Sequence, residues 1–339
     1  MADQLRVGVV GTGGMGARHA RNVDHQVGSA RLTAVMDIDA DRAAAVAEPA
    51  GAQVFTDGFE LISSDTVDAV ILASPDPTHA ALASACLEHD KHALVEKPLA
   101  TDLAGAAAVV DAEASLGRRL LQVGLMRHYD PQHVAVRDAL HRGDVGRPLM
   151  FRGWHRNPPE ARPPTSEEVL VNSAVHDIYS ARWLLNDEIS EVFVRGTTIH
   201  PDRTDQLDLQ RLTMVTAGGA IASVEVNKDS GFGYEVGVEI SGSHGMVTTA
   251  PHHTPVIRQD GAMSQSVEPD WLARFAEAYI IEVRAWVSSV INNRPEGPTA
   301  WDGYLTLGAA LAGAKSVTTG APVTVDTPER PALYSYRDM

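Results

Sequence analysis

The chain has 339 residues, of which 44% are hydrophobic and 21% are charged, and its formal net charge is −16. This length exceeds the usual size of one hydrophobic core, so the sequence predicts two globular domains. The negative charge argues against nucleic acid and anionic membranes as partners, because both are bound by clustered Lys and Arg side chains. We identify no targeting segment and no apolar run long enough to span a bilayer, and therefore expect a cytoplasmic protein. The single cysteine, Cys86, excludes an internal disulfide and is expected to be a small buried hydrophobe.

An apolar segment followed by a glycine-rich motif opens the chain. Residues 5–10 have the continuous apolar character of a buried parallel strand. A G-x-G-x-x-G motif follows and begins a predicted helix; its residues are Gly11, Thr12, Gly13, Gly14, Met15 and Gly16. The first glycine of such a motif permits a tight turn, the second lets the backbone approach a pyrophosphate, and the third lets helix and strand pack closely. Because the helix N-terminus adds N–H donors and partial positive charge, we predict a dinucleotide site.

An acidic residue ends the second predicted strand, residues 32–36. Asp37 lies about 20 residues beyond Gly16, where the acid that binds the adenosine ribose is found in dinucleotide sites. A carboxylate there accepts hydrogen bonds from the ribose hydroxyls and repels a 2′-phosphate, so the sequence favours NAD over NADP. Asp37 could instead cap the next helix, but Asp39 can fill that role.

Strands and helices alternate up to residue 124, which is typical of a doubly wound parallel sheet. Further strands are predicted at residues 52–55, 67–72, 93–95 and 120–123, with a helix at 102–114. The carboxyl ends of parallel strands share one edge, so the loops that follow them lie beside the glycine loop. This places the following residues near the cofactor: Ser74, Pro75, His79, Glu96 and Lys97. A lone lysine in a turn is ordinarily a surface residue, so the importance of Lys97 depends on its context.

Several motifs together resemble the Gfo/Idh/MocA family of NAD(P)-dependent sugar and polyol oxidoreductases. They are the glycine loop, Asp37, the turn at 74–80, the Glu96-Lys97-Pro98 triplet and the segment 124–131. The resemblance covers nearly the whole chain, and the last two motifs are more specific than the glycine loop. Segment 154–158 and Tyr234 resemble the inositol dehydrogenase branch in particular. The resemblance implies an α/β enzyme that uses NAD to oxidise a secondary hydroxyl of a cyclic polyol, an inositol, to the ketone.

The resemblance also assigns roles to individual residues. It implies that Lys97 contacts both the nicotinamide side and the substrate hydroxyls, that Pro98 follows a cis peptide bond, and that His176 is the general base. The implied substrate-binding residues are Lys97, Arg127, His155, Asn157, Asn172, His176 and Tyr234. Asp302 is a further candidate for substrate contact.

Asn172 departs from the family pattern, which has Asp at this position and His four residues later. Residues 172 and 176 lie on one face of a predicted helix. An amide can accept a hydrogen bond from the imidazole but cannot neutralise an imidazolium; the comparable change in the serine-protease triad costs roughly 10⁴-fold. Asp177 points elsewhere on a helix, so we do not expect it to replace the missing acid. Either the protein is slow, or Lys97 shares the proton transfer, or the chemistry differs.

After residue 124 the pattern changes to long alternating strands, typical of a mostly antiparallel or mixed open sheet. Strands are predicted at 149–155, 192–198, 207–215, 220–226, 234–241 and 245–249, and helices at 131–140, 271–290 and from 302. We therefore divide the chain into an NAD-binding domain, 1–124, and a substrate-binding and oligomerisation domain, 125–339, whose segment 300–318 packs back toward the first domain. One sheet face is available for a neighbouring subunit, which predicts a homo-oligomer, a dimer or tetramer.

No metal site is expected, because His155, His176, His252 and His253 lack a credible three-ligand spacing. Two alternative functions stay open. One is a dehydrogenase or reductase of an aldose or keto-sugar in the same family. The other is a catalytically weak NAD-binding sensor, which the Asn172 departure makes conceivable.

Overall fold

The computed structural model describes residues 4–200, 202–203, 206–250 and 254–335 of the chain. It divides into two compact units, the first comprising Met1–His128, Ala278–Leu307 and Pro328–Met339 and the second Tyr129–Glu277 and Gly308–Thr327. The predicted boundary at residue 124 lies just before this division. The prediction assigned residues 278–307 and 328–339 to the second domain, whereas the structure groups them with the first. In the described part of the chain, no helix combines the length and apolar character needed to cross a bilayer.

The strands alternate with helices in the first part of the chain and follow one another in the second. The strands are β1 Leu5–Val10, β2 Ala30–Met36, β3 Gln53–Phe55, β4 Ala69–Leu72, β5 His92–Glu96, β6 Leu121–Gly124, β7 Pro148–Arg156, β8 Ile189–Thr197, β9 Leu209–Thr216, β10 Ile221–Asn227, β11 Glu235–Gly242, β12 Met246–Thr248, β13 Val256–Gln259, β14 Ala262–Gln265 and β15 Val323–Thr324.

The α-helices are α1 Gly14–Gln26, α2 Ala40–Ala47, α3 Gly58–Ser63, α4 His79–Glu88, α5 Leu103–Leu116, α6 Pro131–His141, α7 Ser166–Glu168, α8 Val175–Leu185, α9 Trp271–Arg274, α10 Ala276–Ile291 and α11 Ala300–Thr319. A π-helix spans Val169–Ala174, and short 3₁₀ helices span Glu48–Ala50, Asp76–Thr78, Met126–Tyr129 and Ala332–Tyr334.

The first unit contains a six-stranded parallel sheet in the order β3-β2-β1-β4-β5-β6. The predicted doubly wound sheet is therefore confirmed. The strand order reverses beside β1, and dinucleotides bind at such a reversal, outside the carboxyl ends of the strands. The central strands are buried on both faces, which explains why they are continuous apolar runs in the sequence. Cys86 is buried as expected, and burial raises the pKa of its thiol to about 12.

Helix α10 contributes to the core of the first unit. Val283, Trp286 and Val287 are buried in the same apolar cluster as Val9 and Ile71 of the sheet. Their spacing of three and four residues places them on one stripe of the helix, so the predicted core packing of this segment is confirmed.

The prediction of one continuous helix over residues 271–290 is wrong, because the chain breaks at Phe275 between α9 and α10. Phe275 has φ −108° and ψ 15°, outside helical geometry. Asp270 caps the short α9 by accepting a hydrogen bond from the Ala273 N–H at 2.8 Å.

The second unit contains a seven-stranded mixed sheet in the order β12-β11-β7-β10-β9-β8-β15. β7 and β10 are parallel, and the other neighbouring pairs are antiparallel. This confirms the predicted mixed open sheet. Ile178 and Leu184 of α8 share a buried apolar cluster with Leu212 and Val224 of the sheet, so one face of the sheet packs on helices.

A separate hairpin of β13 and β14 was not predicted, although its turn has a strong sequence signal. Asp260 and Gly261 form the two-residue loop with φ values of +51° and +75°. Both left-handed values match a type I′ turn, for which Asp-Gly is a preferred pair.

Candidate active site

The glycine loop has the geometry of a pyrophosphate cradle. Gly11 has φ +87°, and an added Cβ would lie 2.6 Å from the Ala73 carbonyl oxygen. A Cβ at Gly16 would lie 1.7 Å from the Gly11 oxygen, so both positions require glycine. By contrast, a Cβ at Gly13 or Gly14 would meet no atom within 4 Å. No side chain of the described residues caps α1 at Gly13, so the backbone N–H groups at this helix N-terminus suit an anionic pyrophosphate.

Asp37 lies beside the glycine loop with a dense set of donors. Its Oδ2 accepts hydrogen bonds from the N–H and the hydroxyl of Thr12, both at 2.9 Å. Arg42 binds both carboxylate oxygens, with Nη2 2.5 Å from Oδ1 and Nε 3.0 Å from Oδ2. The Arg42 guanidinium holds the pKa of the Asp37 carboxyl well below its usual range, against the opposing effect of burial. Asp39, not Asp37, caps α2 by accepting a hydrogen bond from the Arg42 N–H.

His79 connects two of the loops that the sequence placed near the cofactor. It is buried, and its ring nitrogens lie 2.8 Å from the Ser74 carbonyl oxygen and 2.7 Å from the Pro98 carbonyl oxygen. The Ser74 hydroxyl lies 2.6 Å from that of Thr78, and Pro75 is exposed. His79 therefore holds the turn after β4 to the turn after β5.

The peptide bond between Lys97 and Pro98 is cis, as the resemblance implied. Lys97 is half-buried, and its backbone N–H donates to Glu96 Oε2 at 3.2 Å. Glu96 Oε1 lies 2.8 Å from Nε2 of His19, a fully buried histidine on α1. Burial acts to raise the pKa of Glu96, but the hydrogen bond and charge of His19 outweigh it and the pKa lies below its ordinary value. The helix that follows the glycine loop is thereby linked to the residue preceding Lys97.

Glu282 on α10 is a buried acid that the sequence reasoning missed. Its side chain is fully buried, and among the described residues neither carboxyl oxygen has a hydrogen-bond partner. Burial, together with the negative charge of Glu96, raises the pKa of Glu282 well above its ordinary value. Both effects favour the neutral, protonated form of the carboxyl over the ionised form. Its sequence signal was an acid within the otherwise apolar run of residues 278–283.

In the second unit, three buried side chains form a hydrogen-bonded chain. Asp177 Oδ2 lies 2.9 Å from Nδ1 of His155, and Nε2 of His155 lies 3.2 Å from the hydroxyl of Tyr234. Two predicted substrate residues, His155 and Tyr234, are thus brought together. Asp177 thus has a partner, His155, that the sequence did not indicate.

Asn172 and His176 do not lie on one continuous α-helix, so that part of the prediction is wrong. Asn172 is half-buried in the π-helix, and His176 is buried in the first turn of α8. A π-helix has a wider turn than an α-helix, so the i, i+4 spacing no longer stacks side chains one above the other. Such segments occur frequently at functional sites.

Of the other predicted substrate residues, Arg127 and Asn157 are buried and Asp302 is half-buried. Arg127 is fully buried in a 3₁₀ helix of the first unit. Asn157 follows β7 in the second unit, and its backbone N–H donates to the Asn227 carbonyl oxygen at 2.8 Å. Asp302 lies in the first turn of α11 and accepts hydrogen bonds from the N–H and hydroxyl of Thr299, at 2.9 and 2.8 Å.

Lys228 is a further buried polar residue that the sequence reasoning missed. It follows β10, and its ammonium group lies 3.1 Å from the Ser173 hydroxyl and 2.5 Å from a Glu160 carboxylate oxygen. It therefore contacts the residue next to Asn172. The only sign of Lys228 in the sequence was its position just after a predicted strand.

The described ranges contain no cluster of three or more His, Cys, Asp or Glu residues that could hold a metal ion. His155 and His176 belong to no such cluster, and His252 and His253 lie outside the described residues.

The strand order, the glycine cradle and the acid at the end of β2 define a dinucleotide-binding oxidoreductase domain joined to a mixed-sheet domain. Two family models match this division: an oxidoreductase family with an NAD-binding Rossmann fold over residues 5–125, and the GFO/IDH/MocA C-terminal domain over residues 133–248. The chain belongs to the Gfo/Idh/MocA family of NAD-binding oxidoreductases.

Several dehydrogenases are similar to this protein over almost its whole length. An inositol 2-dehydrogenase of Rubrobacter xylanophilus is 52% identical over 335 residues, 98% of this chain and 96% of the relative. Inositol 2-dehydrogenase 1 of Saccharopolyspora erythraea is 42% identical over 333 residues, 97% of this chain and 99% of the relative. The crystal structure of myo-inositol dehydrogenase from Lactobacillus casei in complex with NAD(H) and myo-inositol is similar over 98% of this chain and 100% of that one, with a TM-score of 0.94 and 32% identity.

Proposed function

We propose that the protein is an NAD-dependent inositol dehydrogenase, which oxidises one secondary hydroxyl of myo-inositol or a stereoisomer to the keto-inositol. The observation that carries the proposal is the full-length similarity to a dehydrogenase structure that contains both NAD(H) and myo-inositol. The similarity includes the cofactor unit and the unit that bears His155, His176 and Tyr234, and the 52% identical relative has the same named activity.

The first unit has the residues needed to hold NAD. The N–H groups at the start of α1 would bind the pyrophosphate, and Asp37 would accept hydrogen bonds from the adenosine ribose hydroxyls. We propose that Ser74, Pro75, His79, Glu96 and Lys97 form the nicotinamide side of the site, with His79 holding two of its loops together. When bound, NAD supplies the oxidant that accepts a hydride from the carbinol carbon.

The proton chemistry falls to Lys97 and His176 in this proposal. His176 accepts the proton of the reacting hydroxyl as general base. The positive charge of Lys97 stabilises the developing alkoxide and so makes that proton easier to remove. The amide of Asn172 cannot neutralise an imidazolium at His176, so Lys97 contributes more than it would beside a carboxylate.

Recognition of a polyhydroxylated ring requires several donors and acceptors that are fixed in place. We propose that these are Lys97, Arg127, His155, Asn157, Asn172, His176 and Tyr234. Five of these side chains, Arg127, His155, Asn157, His176 and Tyr234, are buried, so they lose little further entropy when they bind hydroxyl groups.

The test is formation of NADH by the full chain with myo-, scyllo- and chiro-inositol, compared with glucose and xylose. We expect turnover with at least one inositol at a kcat/KM well above that for either sugar. A preference for glucose or xylose would instead support the aldose dehydrogenase alternative. Binding of NAD measured by calorimetry, without turnover of any polyol, would support the NAD-binding sensor.

We further propose that the enzyme is a cytoplasmic homo-oligomer, a dimer or tetramer, that uses the sheet face not covered by helices. That face carries charged pairs rather than an apolar core: Arg152 with Glu239 at 3.1 Å, and Arg156 with Glu225 at 2.8 Å and Glu235 at 2.7 Å. Light scattering of the purified chain measures the subunit number, and cell fractionation measures the location.

A further inference from the structure

We propose that Asp177 is a positioning residue that fixes the direction of the hydrogen-bond chain from Asp177 through His155 to Tyr234. Fixed in this direction, the Tyr234 oxygen accepts a hydrogen bond from a substrate hydroxyl instead of donating one. The inference rests on the proposed function, because it takes Tyr234 as a polyol contact. It adds a residue, Asp177, and a direction of hydrogen bonding.

The three side chains are held away from water. The exposed fractions are 0% for Asp177, 4% for His155 and 2% for Tyr234. The Oδ2–Nδ1 distance is 2.9 Å and the Nε2–hydroxyl distance is 3.2 Å. Both distances are within hydrogen-bonding range, so each contact requires one donor and one acceptor.

The direction follows from the chemistry of the first group in the chain. An ionised carboxylate can only accept, so Asp177 requires the proton of His155 to be on Nδ1. In the neutral imidazole, Nε2 is then an acceptor, and the Tyr234 hydroxyl must donate to it. Once its proton is committed, the Tyr234 oxygen offers only lone pairs to a ligand. A doubly protonated His155 would reverse the second bond, and this is one outcome of the test below.

Backbone pairing and packing hold the rings of His155 and Tyr234 in place. His155 lies in β7 between two partners, opposite Val226 of β10 and Val236 of β11. The Tyr234 N–H donates to the Glu268 carbonyl oxygen at 2.8 Å, and the Tyr234 ring packs edge-on to Phe275 with centroids 6.2 Å apart. With both rings held, proton placement decides what Tyr234 presents to a ligand.

The consequence is a specificity rule for the hydroxyl that faces Tyr234. A hydroxyl donates to the tyrosine oxygen, whereas fluorine at the same carbon cannot donate. If Tyr234 accepts, a deoxyfluoro inositol is at least as poor a substrate as the deoxy inositol. If Tyr234 donates, the fluorine keeps part of the interaction and the fluoro analogue is the better of the two.

The first experiment reads the position of the proton without turnover. Full-length protein labelled with ¹⁵N-histidine is examined by NMR, and the His155 signals are assigned by their loss in His155→Gln. We expect wild-type His155 to be neutral with its proton on Nδ1, and Asp177→Asn to lose this preference, since an amide can donate or accept. A proton on Nε2 in the wild type, or an unchanged tautomer in Asp177→Asn, would overturn the proposal.

The second experiment uses kinetics with a panel of monodeoxy and monodeoxyfluoro inositols. The hydroxyl that faces Tyr234 is the one whose removal costs nothing further in Tyr234→Phe. At that carbon we expect both analogues to lose about 3- to 10-fold in kcat/KM with the wild type. With Asp177→Asn, the fluoro analogue should become the better substrate. A fluoro analogue already better with the wild type would refute the proposed direction.

Asp208→Asn is the matched control for this substitution. Asp208 is also buried in the second unit and accepts hydrogen bonds from the Thr198 hydroxyl and the Ile199 N–H, at 2.9 and 3.2 Å. It should lower stability and leave the fluoro-to-deoxy ratio unchanged; the same change of ratio in both variants would reduce Asp177 to a structural role. Absence of turnover with every inositol would refute the proposed function, while the tautomer result would stand on its own.

Discussion

Replacement of Glu282 by Gln is expected to flatten the decline of stability with rising pH. The Glu282 carboxyl is fully buried on α10, and burial together with the charge of Glu96 raises its pKa well above the ordinary value. The folded protein therefore holds a proton that the unfolded chain releases above about pH 4.3. A carboxyl whose pKa is raised by folding adds stability that is complete below the unfolded pKa and is lost as the pH rises toward the folded pKa.

The size of the effect follows from proton linkage. For each pH unit between the two pKa values, wild type loses about 1.4 kcal/mol of unfolding free energy through this group. Gln keeps the volume of the side chain but does not titrate, so this loss is absent in Glu282→Gln. For a unit of this size, about 1.4 kcal/mol corresponds to roughly 3–6 °C in melting temperature.

The assay is thermal unfolding of both proteins, without cofactor, at intervals from pH 5 to pH 8. The melting temperature of Glu282→Gln minus that of the wild type should increase steadily over this range. Glu277→Gln, at an exposed position on the same helix, is the matched control and should follow the wild type. Parallel curves for Glu282→Gln and wild type would refute the argument, because they would mean that Glu282 is ionised in the folded protein.

Three further substitutions test the proposed site. Lys97→Ala should lower kcat by about 10²–10⁴-fold, while the Kd for NAD, measured by calorimetry, stays within a few-fold of wild type. Lys315→Ala, at an exposed position, is the control and should change neither quantity. Substantial turnover by Lys97→Ala would show that Lys97 has no role in the chemical step. Asp37→Ser should tighten binding of 2′-phospho-ADP-ribose by about 10-fold or more, because it removes a like charge and releases Arg42 for the phosphate. The double variant Asp37→Ser/Arg42→Gln should lose this gain in affinity. Equal affinities for the two variants would contradict the role of Arg42. Asn172→Asp should raise the rate of the chemical step by about 10- to 100-fold in pre-steady-state measurements of NADH formation, and an unchanged rate would mean that His176 is not the base whose charge limits it.

Local sequence patterns predicted the features that depend only on neighbouring residues, namely the buried strands and the glycine loop. Buried parallel strands have to be apolar on both faces, and residues 5–10 and 69–72 show this pattern. Contacts in and next to the first strand–turn–helix unit require glycine at positions 11 and 16, so the spacing of the motif was enough to predict their role. The break at Phe275 was not, because the apolar spacing continues through it and only the backbone geometry of that residue separates α9 from α10.

Residues whose role depends on a distant partner were the ones that the sequence did not identify. Asp177 pairs with His155 across 22 residues, and Lys228 bonds to Ser173 across 55. Neither pairing has a local signature, since both depend on how the helical segment 169–185 packs against the sheet. The π-helix that holds Asn172 was equally hidden, because its extra residue per turn leaves the composition of the segment unchanged.

The amide at position 172 and the carboxylate at position 177 together bear on how His176 can hold a proton. A carboxylate hydrogen-bonded to an imidazolium at about 3 Å gains roughly 5.5 kcal/mol at an effective dielectric constant of 20, and Asn172 forgoes this. Asp177, the next residue along α8 after His176, lies with Oδ2 2.9 Å from Nδ1 of His155. Its negative charge stays available to stabilise a nearby imidazolium when His155 is neutral, and a charged His155 would cancel it. The proton position on His155 therefore decides both what Tyr234 offers to the substrate and whether Asp177 adds negative charge near His176.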